Sequence, residues 1–81
     1  MRGFIDFWIK AKGYGFIHDN EKTVRYFAHI SAVQNDVIPA TGNLVEFEPG
    51  VTARGPIATN IRVLDKAETI AALSFLGGGA L

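Results

Sequence analysis

The chain has 81 residues, 48% hydrophobic and 20% charged, the composition of one small globular domain with no room for a second. Eight Lys and Arg balance eight Asp and Glu for a formal net charge of zero, which excludes a simple basic coat for duplex DNA. The absence of cysteine excludes a disulfide framework, a zinc knuckle and thiol chemistry.

Five extended runs precede a different C-terminal segment. The first is Arg2 to Lys10, where Asp6 interrupts the apolar residues that a secretory leader would need. The second is Gly13 to His18, closed by the polar connection Asp19-Asn20-Glu21-Lys22, and the third is Thr23 to His29. A link from Ile30 to Gly42 holds a single helical turn at Ser31-Ala32-Val33 and a breaker at Pro39. The fourth run is Asn43 to Glu48, expected to stop at Pro49-Gly50, and the fifth is Pro56 to Leu64. Five short strands in 64 residues predict an all-β barrel, because closure removes exposed sheet edges. Ile5, Ile17, Val45, Phe47 and Ile61 are its predicted core.

Residues 65–81 are rich in Ala and Leu. Asp65 with Glu68 three positions later is a capping-box pattern, and Ile70, Leu73 and Leu76 recur at near-helical spacing. A short helix from Lys66 to Leu76 is expected, with Gly77 as its stop. The division is thus a barrel over 1–64 and a helical tail with a Gly-rich end over 65–81. Such a helix is marginal alone and must dock, either on the barrel or on a protein partner or second copy. A third reading, ranked behind these, is a stretch of a longer chain. No run reaches the ~20 apolar residues of a membrane span, and a cytoplasmic protein is expected.

The informative stretch is Lys12-Gly13-Tyr14-Gly15-Phe16-Ile17-His18. Alternate residues of a strand share a face, so Tyr14, Phe16 and His18 oppose Gly13, Gly15 and Ile17. Two glycines and an isoleucine suit the inside of a tight barrel, which turns the large rings outward. The next strand repeats this, with Arg25, Phe27 and His29 on one parity and Val24, Tyr26 and Ala28 on the other. In-register pairing gathers Tyr14, Phe16, Phe27 and His29 into one platform with Lys12 and Arg25 at its margin. Gly-aromatic alternation also occurs in plain barrel strands; the second aromatic strand at hairpin distance tips the balance to a binding surface. Stacked bases contribute ~1–3 kcal/mol each, so single-strand binding needs no large positive charge.

These residues resemble the bacterial cold-shock domain family, five-stranded oligonucleotide-binding (OB) barrels that bind single-stranded RNA and DNA. Lys12 to Ile17 is similar to the family's motif K-G-[FY]-G-F-I, and Tyr26-Phe27-Ala28-His29-Ile30 to its motif V-F-V-H-F. Ser31 to Asp36, and Ala53-Arg54-Gly55-Pro56 with Ala58 and Asn60, also fit, so the resemblance covers about residues 2 to 64. It implies stacking roles for Tyr14, Phe16, Phe27 and His29, and phosphate or base contacts for Lys12 and Arg54. Three departures stand out. Asp6-Phe7-Trp8 replaces Lys-Trp-Phe, which puts Phe7 at the stacking position and Trp8 where the family has Phe. Adjacent residues face opposite ways, so only one of the two stacks unless a bulge intervenes. Asp6 puts a negative charge near the phosphate path, and Ile30 removes a ring, so a weaker binder is expected.

Of the single residues, His18 beside Asp19 reads as a solvated turn residue, and Arg62 and Lys66 as ordinary surface charges. No paired carboxylates, nucleophile–base pair or phosphate loop appears, so neither an enzyme nor a metal or cofactor site is expected. The reading is a single-stranded RNA or DNA binder acting as an RNA chaperone that keeps bases unpaired. Its alternative is a protein-interaction or self-association module that uses the aromatic face or the C-terminal helix.

Overall fold

The computed structural model describes residues 1–76, with side chains through Leu73; the glycine stop expected at Gly77 lies outside the described residues. In chain order the elements are β1 (Arg2–Ile9), β2 (Tyr14–Asp19), β3 (Arg25–His29), a 3₁₀ turn (Ile30–Ala32), β4 (Leu44–Thr52), β5 (Gly55–Val63) and α1 (Lys66–Leu76). The strands close into a barrel in the order β1-β2-β3-β5-β4. All neighbours are antiparallel except β3 and β5, which meet in parallel at Phe27 and Ile57.

Alternation of apolar and other residues fills the barrel. The five predicted core residues are all at most 2% exposed and are joined by Tyr26, Ala28, Ala58 and Val63. The Tyr26 and Phe47 rings meet inside at 5.0 Å between centroids. Gly15 is required by this packing: a Cβ there would stand 2.7 Å from the Trp8 ring and collide with the Phe7 carbonyl.

Strand β4 runs through Pro49-Gly50, where the sequence predicts a stop. It continues to Thr52, with Pro49 opposite Ala58 and Gly50 opposite Ile57. β1 covers β4 only from Leu44 to Glu46. Met1 extends the pairing to Phe47, and past it no strand among the described residues covers that side of β4, so a missing proline N–H breaks no ladder.

The tail forms the expected helix, with a complete capping box. The Asp65 carboxylate accepts from the Glu68 N–H at 2.7 Å, and the Glu68 carboxylate accepts from the Asp65 N–H at 3.2 Å. Its docked face differs from the one the spacing suggests. Ile70 and Leu73 are 58% and 46% exposed, while Ala72 is buried against Leu44 and Leu64, with Phe4 packed beside them. The cap and an ion pair from β5 fix the helix rotation immediately after the strand, and the small Ala72 is the residue that faces the barrel.

That ion pair also corrects the reading of Arg62 as an ordinary surface charge. Its guanidinium donates to Glu68 at 2.5 Å and to Glu46 at 2.8 Å, and Glu46 also accepts from Arg2 at 3.3 Å. The guanidinium of Arg62 holds the Glu46 and Glu68 carboxyls below the ordinary glutamate range, helped by Arg2 at Glu46 and by the Asp65 N–H at Glu68.

Candidate nucleic-acid interface

The β2–β3 hairpin pairs in register, with Tyr14 opposite His29, Phe16 opposite Phe27 and His18 opposite Arg25. The inward parity of both strands is buried and the other parity faces out. The connection between them is held by Asp19, whose carboxylate accepts from the Thr23 N–H at 2.8 Å and hydroxyl at 2.6 Å. The Thr23 hydroxyl, first among its contacts, keeps the Asp19 carboxyl below its ordinary value.

β1 reaches this face through an irregularity. Its register with β2 passes from Ile5 opposite Ile17 to Phe7 opposite Phe16, leaving Asp6 as an extra residue. The bulge turns Phe7 outward onto Phe16. Trp8 falls on the inner side, above Gly15, and packs partly buried against the core.

Four rings therefore run in sequence across three strands. Phe7 and Phe16 centroids are 5.4 Å apart, Phe16 and Phe27 5.7 Å, and Phe27 and Tyr14 5.6 Å. Phe7 and Phe27 are 36% and 38% exposed, and contiguous exposed apolar rings on a small barrel mark an interaction surface. An open cleft of about 600 Å³ adjoins them, walled by Phe16, Phe27, Pro56, Ile57 and the β4–β5 turn with Arg54. Arg54 is expected here from the family resemblance; Pro56 and Ile57 are not, because the extension of β4 past Pro49-Gly50 is what carries the turn beside the rings.

The polar candidates distribute around the rings. His29 is exposed beside Tyr14; its Nδ1 accepts from the Ser31 N–H at 3.1 Å and contacts the Ser31 hydroxyl at 2.8 Å. An Nδ1 that accepts places the proton of the neutral ring on Nε2, leaving a donor available outward. Lys12 is exposed in the turn after β1, and Arg54 is exposed at the tip of the β4–β5 turn. Arg25, expected at the margin, instead lies over the rings, with Cζ 5.8 Å from the Phe7 centroid and 5.5 Å from that of Phe16. Its NH2 is 2.6 Å from Asp6 Oδ2.

His18 is not the solvated turn residue of the sequence reading. Its ring stacks on Phe4 at 5.8 Å and 27°, and its Nδ1–H donates to the Asp19 carbonyl at 2.9 Å. Two aromatic residues on paired positions of β1 and β2 are the signal that carried this contact. Among the described residues, no group of three or more His, Asp or Glu side chains is placed to hold a metal, and no helix is long and apolar enough to cross a membrane.

A sequence model of the 'Cold-shock' DNA-binding domain matches residues 1–64. The chain belongs to the cold-shock domain family. This is a family of nucleic-acid-binding domains, and residues 1–64 hold all five strands. The cold shock-like protein CspE of Escherichia coli (strain K12) is 35% identical over 66 residues, covering 79% of this chain and 96% of that protein. A cold shock-like protein of Aquifex aeolicus is also 35% identical over 66 residues, with 79% and 94% covered. Among solved structures, Drosophila Unr CSD456 superposes with a TM-score of 0.62 at 26% identity over 80% of this chain. The chain spans 26% of the length of that structure.

Two local features of this chain adjoin the ring series and the matched domain. The ion pair of Asp6 with Arg25 lies on the ring series, and α1 begins beyond the matched residues, at Lys66.

Proposed function

We propose that this chain binds single-stranded RNA or DNA by stacking unpaired bases on Phe7, Phe16, Phe27 and Tyr14. The observation that carries the reading is the unbroken series of four outward rings beside an apolar cleft. Each stacked base contributes ~1–3 kcal/mol, which compensates for a net charge of zero. Lys12, exposed in the turn after β1, and Arg54, on the wall of the cleft, take phosphate or base contacts. The outward Nε2 of His29 donates to a base edge.

Binding of this kind gives RNA chaperone action by mass action. The protein captures unpaired segments and not the paired form, so the hairpin–strand equilibrium moves toward the open strand. Membership of a nucleic-acid-binding family, the neutral charge and the exposed aromatic surface all favour a single strand over a duplex, whose bases present no faces.

The test is a comparison of a labelled oligothymidine with an abasic strand of equal phosphate number. Stacking predicts that removal of the bases abolishes most of the affinity. Equal binding of the two strands contradicts it. Opening of a weak fluorophore–quencher RNA hairpin on addition of protein then checks the chaperone step, and a hairpin that stays closed at saturation refutes that step.

A further inference from the structure

An exposed arginine beside a nucleic-acid surface ordinarily serves a phosphate. Arg25 is instead engaged from two sides. The bulge in β1 leaves Asp6 unpaired in the ladder and aims its carboxylate at Arg25, 2.6 Å from NH2. The guanidinium carbon then lies 5.5 Å from the Phe16 centroid and 5.8 Å from that of Phe7. An exposed ion pair adds little to fold stability; what it shapes is the surface.

The shape is specific. A guanidinium is planar and stacks on aromatic rings, and one held by a carboxylate keeps its flat surface and spare N–H donors while its charge is balanced. A phosphate at this point has to compete with Asp6 for the guanidinium and meets the carboxylate's repulsion. A base meets neither obstacle. We infer that Asp6 is a positioning residue that holds Arg25 across Phe7 and Phe16, so that this end of the platform takes an unpaired base in preference to a phosphate. The inference rests on the stacking function proposed above and adds to it a chemical selectivity at one subsite.

The test measures oligothymidine affinity against salt for the full chain and four variants: Asp6→Asn, Arg25→Gln, the double variant, and Asp6→Glu. Release of Arg25 in Asp6→Asn frees it for one more phosphate, and the slope of log K against log salt steepens by about 0.7. The same change in an Arg25→Gln background leaves the slope unaltered, and Asp6→Glu retains the wild-type slope. Equal steepening in both backgrounds reports only the change in net charge and overturns the inference, as does no steepening in either. Binding by the wild-type chain with either of those results leaves stacking intact and removes only the role of Asp6. Failure of the wild-type chain to bind removes both.

A readout without ligand makes the positioning itself visible. With Cζ 5.8 Å and 5.5 Å from two ring centroids, the Arg25 side-chain methylene protons of the free protein are expected to be shifted upfield in the NMR spectrum. Asp6→Asn is expected to return them toward ordinary arginine positions, and Asp6→Glu to keep them shifted. An unchanged shift in Asp6→Asn shows that the rings alone hold Arg25, and overturns the inference.

Discussion

Phe16 and Phe27 face each other in direct register across β2 and β3, with centroids 5.7 Å apart and planes at 74°. Such an edge-to-face contact is a favoured aromatic geometry that fixes both side chains without consuming every face. The inward neighbour Ile17, one residue along β2, is fully buried. The strand thus separates two tasks by parity, and substitutions should separate them too.

Phe16→Ala and Phe27→Ala are expected to weaken oligonucleotide binding by about 5- to 150-fold each, the loss of one stacked base, with the barrel still folded. Ile17→Ala is expected to cost ~2–5 kcal/mol of stability by leaving a cavity. Titrations with a labelled strand and thermal melts of the same variants check both halves. Unchanged affinity in either phenylalanine variant contradicts the platform.

Gly15→Ala is expected to destabilise the fold by ~1–3 kcal/mol through overpacking, because its methyl meets the Trp8 ring and the Phe7 carbonyl. Chemical denaturation reads the loss. A variant as stable as the parent contradicts the close approach of β1 and β2.

Asp65→Ala is expected to reduce helix content by removing one half of the capping box at α1, with the sheet signal retained. Far-ultraviolet circular dichroism shows this directly. A helix signal equal to that of the parent contradicts the cap.

Acid should loosen the same region. Glu46 and Glu68 have carboxyls lowered below the ordinary value of 4.5, chiefly by Arg62. A group with a depressed folded value contributes stability that is fully present above its unfolded value and is lost as pH falls through the folded one. Stability is therefore expected to be level above about pH 5 and to fall below 4.5, with a smaller fall in Arg62→Met. Equal acid sensitivity of the two proteins contradicts the network.

The strand faces were legible because a period of two is written directly into Tyr14, Phe16, Phe27 and the glycines between them. The five core positions followed from the same alternation. What was hidden depends on contacts between distant segments. The Asp6 bulge, which turns Phe7 outward and Trp8 inward, arises where β1 meets the closed barrel. Pro49-Gly50 looks like a stop unless it is known that the N-terminal strand has already left β4 after Phe47. The docked face of α1 depends on Arg62 and Glu46, neither of which is in the helix. In the binding surface, the rings were visible in the sequence. Arg54 came from the family resemblance, but the closing of Pro56 and Ile57 against Phe16 and Phe27, and the placement of Arg25 over Phe7 and Phe16, were visible only in three dimensions.

The central claim is that this surface holds unpaired bases by stacking and not duplexes by charge. Fluorescence anisotropy of a labelled oligothymidine and of its matched duplex, each titrated at two salt concentrations, tests it most directly. The predicted result is binding of the single strand with a shallow salt slope and much weaker binding of the duplex. Duplex binding as tight as that of the strand, or no strand binding even at low salt, contradicts it.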